Sequence, residues 1–359
     1  MTPAPDEPGR IREDSPGGRA QIDALLLERA KDGDQDAFAS LVAFYRAELQ
    51  LHCYRMLGSF HDAEDVTQEV LVRAWRHLGA FEGRSSVRTW LYRIATNRCL
   101  THQARAAVQP SPAVGFSPPP PNAPDVEVTA LQPFPDSRLG HPSKPGPEAA
   151  YDLTESVNLA FLTAVQLLPA RQRAVLLLRD VLGFTAAETA VILDATIPGV
   201  NSVLHRARTT LEHHRKQGRP VLAASRVDAD AERRLLDRYV AAWHACDIPA
   251  LLALLREDAL LTMPPLPAAY RGHDAIGQFL RTVPAAGRLD RITLVPVRAN
   301  CQPAVAAYVQ DDDGAGSSAY GIMVLAVDGD HIIEITGFAD PTLFAVFGLP
   351  ARREAVNGV

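Results

Sequence analysis

The sequence predicts a multidomain chain: two all-α modules followed by an α+β domain. Three observations predict it. Residues 107–150 contain "VQPSPAVGFSPPPPNAP" and "GHPSKPGPE", where proline fixes φ and removes backbone donors, so the stretch reads as an extended, semi-rigid linker. On both sides of that linker apolar residues recur at spacings of three and four, the helical period. From about residue 231 two helical stretches give way to the short runs "RITLVPVRA", "AVAAYVQ", "GIMVLAV" and "HIIEITGF", separated by turns such as "DGD" and read as strands. The division is a flexible N-terminus with the start of a first helix (1–35), a first helical module (36–106), the linker (107–150), a second helical module (151–216), a second linker (217–230), the α+β domain (231–345) and a tail (346–359).

A length of 359 residues at 47% hydrophobic is enough for two or three separate cores. No run of some eighteen apolar residues exists, and the start "MTPAPDEPGRIREDSPGG" has charges and prolines where a signal peptide needs an apolar stretch. The expectation is a cytoplasmic protein with no membrane contact. Cys53, Cys99, Cys246 and Cys301 are scattered without C-x-x-C spacing, so no disulfide framework or metal site is expected and all four read as small buried side chains. No cofactor is implied.

The net charge of −6 would disfavour nucleic acid if it were evenly spread. It is not. Between Leu71 and Arg105 the charges are Arg73, Arg76, Arg84, Arg88, Arg93, Arg98 and Arg105 against Glu82 alone, while acids gather in "PDEP", "DAED" and "QDDDG". A basic surface is therefore set into an acidic protein.

Within the first module helical periodicity covers 37–58, 62–78 and 86–105. On the wheel of the second of these, Ala63, Val66, Val70, Leu71, Ala74, Trp75 and Leu78 share the half that packs inward. Asp62, Asp65, Glu69, Val72, Arg73 and Arg76 share the other half, where a Glu69–Arg73 pair is expected to add a few tenths of a kcal/mol. Downstream, "FEGRSSVRTWLYRIATNRCLTHQAR" alternates Phe81, Trp90 and Tyr92 with Arg84, Arg88, Arg93 and Arg98. Rings that stack on bases beside guanidinium groups that follow a backbone suit single-stranded nucleic acid, and Trp90 with Ile94 four residues on also suits a core.

The second module has helical periodicity over 153–168, 170–182, 185–193 and 197–215. Thr185 and Glu188 in "TAAETAVIL" form a capping-box pattern, "DAT" is a tight connection, and Thr196 caps a helix opened by Pro198. In that last helix Ile197, Val200, Leu204, Ala207 and Leu211 face inward. Asn201, Ser202, His205, Arg206 and Thr209, with Arg208 at the margin, are left outward as a helix-turn-helix would present them to a major groove.

Taken together, "DAEDVTQEVLVRAW", "TWLYRIATNRCL", "LLPARQRAVLLLRDVLGFTAAETAVIL" and "VNSVLHRARTTL" resemble the extracytoplasmic-function (ECF) sigma factors of the bacterial sigma-70 family, over roughly 36–106 and 151–215. The resemblance implies an initiation factor with core RNA polymerase and promoter DNA as partners. It assigns Asp62, Asp65, Gln68, Glu69 and Arg73 to the surface that meets core polymerase. For the −10 element it assigns Arg84, Ser85, Arg88, Trp90, Arg93 and Asn97, and for the −35 element Asn201, Ser202, His205, Arg206 and Arg208. The position before Ser202 is commonly basic in the family and is Asn201 here.

Minimal members of that family end near the position of residue 215. Here "LLDRYVAAWHACDIPALLALLREDALLTMPPLPAAYRGHDAIGQFL" and the four strands resemble a SnoaL-like domain, the NTF2-like α+β cone shared with ketosteroid isomerases, over about 231–345. A fold of that kind encloses a pocket, for which an unknown ligand is a candidate partner. His244, Asp247, Tyr270, His273, Asp274, His331 and Asp340 are its polar candidates, although their spacing favours structural or surface roles. "LQPFPDS" resembles a linker motif of the extended sigma subgroup, and Leu131, Phe134 and Leu139 form an apolar island that is expected to dock on the third domain and tie it to the helical modules. The alternative for this island, implied by the family resemblance, is that the linker enters the polymerase channel. The sequence leaves two readings of the whole open: an initiation factor regulated by its third domain, or an enzyme or small-molecule sensor fused to a transcription module.

Overall fold

The computed structural model describes residues 16–106, 119–126, 128–139, 153–216 and 229–354. The first module is α1 (Pro16–Lys31), α2 (Gln35–Leu57), α3 (Phe60–His77) and α4 (Val87–Ala106). Its helix boundaries follow local chemistry. The Asp34 carboxylate accepts from the Ala37 amide and starts α2, and Gly58 at φ 76° ends it. Ser59 then accepts from the Asp62 amide and starts α3. The first helix, which the sequence reading starts within 1–35, is α1: Leu27 and Ala30 of "DALLLERA" are buried in the core shared with α2. Residues 1–15 lie outside the described residues.

The second module opens with a helical turn at 153–157, interrupted at Asn158. That side chain accepts from the Ala160 amide and caps α5 (Leu159–Gln166), so the continuous helix expected over 153–168 is broken there. Next come α6 (Ala170–Leu176), which widens into a π turn at Leu177–Val181, α7 (Ala186–Leu193) and α8 (Ile197–Lys216). Thr185 and Glu188 form the full capping box, and Asp194 at φ 49° reverses the chain between α7 and α8.

The third domain contains α9 (Ala229–His244), α10 (Ile248–Ala253), β1 (Leu255–Met263), β2 (Leu266–Arg271), α11 (Gly272–Thr282), β3 (Ile292–Ala299), β4 (Gln302–Gln310), β5 (Gly316–Asp328), β6 (His331–Phe338), α12 (Leu343–Val346) and β7 (Arg352–Glu354). The sheet order is β2-β1-β6-β5-β4-β3 with β7 added to β5, and only β1 and β6 run parallel. Strands β1 and β2 were absent from the sequence reading because "LLALLREDALLTM" continues the apolar spacing of α10 with no turn residue between. The fold also continues through β7, beyond the boundary at 345.

Strand β4 explains how the parts are joined. Its residues from Gln302 to Tyr308 are all buried. Because side chains alternate across a strand, Val305 and Ala307 face one core, shared with Tyr239, Trp243, Ile276 and Phe279 of the third domain's own helices. Ala304, Ala306 and Tyr308 face another, which continues through Phe134 into Tyr54, Phe60, Leu91, Leu162, Leu178 and Phe184 of the helical modules. The unbroken apolar run "PAVAAYV" is the signature of a strand covered on both faces.

Candidate nucleic-acid interface and the hub behind it

Helix α3 presents the face expected of it: Asp65, Gln68, Glu69 and Arg73 are exposed, Asp62 is half-buried, and Ala63, Val66, Val70 and Ala74 are buried. One pairing differs. Glu69 binds Arg98 of α4 rather than Arg73, and Asp62 lies 3.7 Å from His102. The acidic side of this face is thus tied to the basic helix beside it.

Among the residues assigned to the −10 element, Arg84, Arg93 and Asn97 are exposed and Ser85 is half-buried, with Arg84 paired to Glu82 in the same loop. Trp90 is half-buried against Phe81, ring centroids 4.9 Å apart. Arg88 is placed differently. Its guanidinium lies 4.4 Å from the ring centre of Phe184, in the second module, and 5.0 Å from that of Tyr92, with Nε 3.4 Å from a Glu48 carboxylate oxygen. A residue assigned to DNA is here part of the seam between the helical modules.

Below that seam His52 is wholly buried, its Nε2 2.9 Å from the Thr96 hydroxyl. Burial, helped by the charges of Arg55 and Arg88, pushes its pKa down to about 3. Burial also lowers Arg55 and Arg173 to about 10. Arg55 donates to the Ser156 hydroxyl at 2.6 Å, and Arg173 donates to the Met56 carbonyl, so both fasten one helical module to the other.

In α8, Asn201, Ser202, His205 and Arg206 are exposed. Arg208 is exposed too, but it is held by Asp180 through hydrogen bonds of 2.9 and 2.7 Å. Val200, Leu204 and Ala207 are buried as expected. Ile197 is not: at 47% exposure it lies on the first turn, ahead of the part of the helix that packs on α6.

The apolar island lies between the modules rather than on the third domain alone. Leu131 and Phe134 are buried and Leu139 is half-buried. The Phe134 ring sits 4.8 Å from Tyr54 and 5.2 Å from Phe60, both in the first module. Gly58 makes room for the linker: a Cβ there would come within 2.8 Å of Leu131 Cδ2.

The linker meets the third domain in two places: residues 119–125 bond to β2, where Asn122 pairs with the Arg271 backbone and the Ala123 amide donates to the Ala269 carbonyl, and residues 131–139 are held at Asn300, in the β3–β4 turn. This side chain is fully buried, at a φ of 58°, a conformation Asn tolerates better than most residues. Its Oδ1 accepts from the Phe134 amide at 2.8 Å, and its own amide donates to the Phe134 carbonyl at 2.8 Å. Its Nδ2 donates to the Tyr54 hydroxyl at 2.9 Å and to the Val157 carbonyl at 2.7 Å. One residue thus joins the first module, the linker, the entry to the second module and the third domain. Around it the Cys301 amide donates to Asp136, Arg298 pairs with Asp136 and Glu232, and Gln302 accepts from the Leu159 amide. Sequence reading missed Asn300. Its signal was a left-handed-tolerant residue between two apolar strands, which marks a hairpin turn but not what the turn touches.

The seven polar candidates of the third domain are scattered. His244 accepts from the Leu294 amide, Asp247 caps α10, the Tyr270 hydroxyl donates to the Pro119 carbonyl, and His273 lies 3.1 Å from the Leu255 carbonyl. His331 pairs with Asp330, Asp340 accepts from Thr342, and Asp274 is exposed in the first turn of α11. None of the seven lines the domain's cavity. Cys53 and Cys99 are buried as expected, but Cys246 is exposed after α9 and Cys301 is half-buried in the hub. Among the described residues no helix is long and apolar enough to cross a membrane.

Residues 41–108 match sigma-70 region 2, 158–211 match sigma-70 region 4, and 236–335 match the SnoaL-like domain. The chain is 41% identical over 310 residues to the ECF RNA polymerase sigma factor SigG of Mycobacterium tuberculosis, covering 85% of this chain and 82% of that one. It is 31% identical over 191 residues to the ECF RNA polymerase sigma-E factor of Escherichia coli, covering 53% of this chain and 93% of that one. The crystal structure of the M. tuberculosis ECF sigma factor SigJ shares the fold, with a TM-score of 0.56 at 21% identity over 87% of this chain and 99% of that one. The chain belongs to the ECF RNA polymerase sigma factors, and it carries a SnoaL-like domain behind sigma regions 2 and 4.

Proposed function

We propose that this sigma factor rests in a closed form clamped by its SnoaL-like domain, and that it directs initiation when the clamp opens. In the open form Asp62, Asp65, Gln68, Glu69 and Arg73 meet core polymerase. Arg84, Ser85, Arg88, Trp90, Arg93 and Asn97 engage the −10 element, and Asn201, Ser202, His205, Arg206 and Arg208 read the −35 element. The observation that carries the reading is the Asn300 hub, which gives a third-domain residue hydrogen bonds to the linker, to region 2 and to the entry of the second helical module at once.

Promoter geometry supports an obligatory opening. The −10 and −35 elements are centred about 25 base pairs apart, which at about 3.4 Å per base pair is ~85 Å. The longest helix of either module, α2 with 23 residues, is about 35 Å long. Two modules of that size that touch at Arg88 and Phe184 do not reach both elements together, and Arg88 is withheld from DNA while they touch. The alternative, an enzyme fused to a transcription module, draws no support from the seven polar candidates, because none of them lines the cavity; among its lining residues Tyr320 alone has an ionisable side chain, and burial raises its pKa.

The test is Asn300→Ala in the full chain, read by small-angle scattering and by open-complex formation with core polymerase on a promoter found by genome-wide binding. A larger radius of gyration, with open complexes forming at lower protein concentration, supports the clamp. An unchanged radius of gyration with unchanged initiation overturns it. Tyr54→Phe keeps the ring packing and deletes one hub partner, so it should act in the same direction with a smaller effect.

A further inference from the structure

We propose that the interior cavity of the SnoaL-like domain binds an uncharged, largely apolar small molecule that offers one hydrogen-bond acceptor to Trp243. The cavity has an interior volume of about 50 Å³ within a space of about 510 Å³ that includes its solvent-open mouth, and it lies among α9, α11 and the inner face of the sheet. Its walls include Leu261, Met263, Phe279, Ile292 and Ile335, and no lining residue carries a formal charge at neutral pH. A charged ligand would lose its hydration there with nothing to pair it, which excludes carboxylates, phosphates and amines as the principal group.

The specific feature is the indole of Trp243. Its ring lines the cavity, the residue is 1% exposed, and among the described residues its Nε1–H has no acceptor within reach. Buried donors are nearly always paired, and indole N–H donates only, so the missing partner is an acceptor such as a ketone, ester or ether oxygen. A second observation lies at the same wall. Val283 and Pro284 line the cavity, and the two residues that follow, Ala285 and Ala286, both hold left-handed backbone at φ 46° and 57°. Alanine pays for that conformation, and such strain gathers where a ligand is clamped.

Occupancy would bear on the closed form. Ile322 and Phe338 line the cavity and also belong to the apolar cluster that continues into the sigma regions. This coupling rests on the clamp described above; binding itself does not.

The experiment uses the full chain and two probes of nearly equal shape, 2-acetylnaphthalene, which has a carbonyl acceptor, and 2-ethylnaphthalene, which has none. Titration calorimetry should give about tenfold tighter binding of the ketone, equal to about 1.4 kcal/mol, and Trp243→Phe should bring the two probes within about twofold. Should that variant fail to fold, NMR of the parent decides: the ketone, and not the hydrocarbon, should move the Trp243 indole N–H signal downfield, assigned through variants of the other two tryptophans, Trp75 and Trp90. No binding of either probe at its solubility limit, equal affinity of the parent for both, or a preference that survives Trp243→Phe overturns the site. A ketone that binds and leaves the radius of gyration unchanged overturns the coupling alone.

Discussion

Replacing Phe134 by alanine separates docking of the linker from folding of the domains. The side chain is 1% exposed and packs on two rings of region 2, at 4.8 and 5.2 Å. Truncation of a buried Phe costs about 3–5 kcal/mol when the surroundings cannot collapse. This site has another outlet, since the linker can leave. The loss is then bounded by the docking energy itself, for which Leu131 and Phe134 contribute about 1.5–3 kcal/mol each. A loss of about 3 kcal/mol raises the population with an undocked linker about 150-fold. Hydrogen exchange on the free protein reads it: peptides covering 131–139, the end of α2 and the β3–β4 turn should lose protection by up to that factor, while α8 and α11 keep theirs. Phe134→Asp should go further, because redocking would bury a carboxylate. Unchanged exchange in all three segments, or a uniform loss across every domain, would refute docking as the role of Phe134.

Three further outcomes are expected. The double reversal Asp65→Lys with Glu69→Lys should weaken core-polymerase binding at least tenfold in a pull-down and leave the circular dichroism unchanged; undiminished binding would remove α3 from the core interface. Arg206→Ala should lower −35 affinity and reduce the salt slope by about one, the signature of one lost phosphate contact, while Arg208→Ala should do less because Asp180 already holds that guanidinium. The pH dependence of stability should carry the mark of His52. Its folded pKa, about 3, lies below the ordinary value of 6.5, so between those values the unfolded chain holds the extra proton and stability falls as pH falls. From pH 7 to 5 this amounts to about 2 kcal/mol; urea midpoints of His52→Phe should lack that slope, and a parallel slope would show that His52 is not its source.

What the sequence made legible was what short-range chemistry decides. The exposed and buried halves of α3, the capping box at Thr185 and Glu188, and the four later strands all follow from periodicity or a single hydrogen bond. Leu131 and Phe134 stood out for the same reason, as apolar residues in a proline-rich stretch. Partners distant in the chain were not legible. Arg88 carries the same local pattern whether it faces DNA or Phe184, and Asn300 reads as any turn residue. Glu69 had Arg73 at helical spacing, yet Arg98, on a neighbouring helix, takes it. Of the three missed strands, β1 and β2 belong to the same class, because only pairing with β6 and with each other distinguishes "REDALLTM" from a continuation of α10.

The double burial of β4 sets how the protein behaves when cut. A strand with two covered faces has no solvent side, so a chain ended at residue 216 would leave Phe134, Tyr54 and Leu162 facing water where Ala304, Ala306 and Tyr308 had covered their cluster. The excised third domain would expose the complementary patch. Each piece made alone should be less soluble than the intact chain, each should rescue the other when they are mixed, and a single nick between 217 and 228 should leave the halves together on a sizing column.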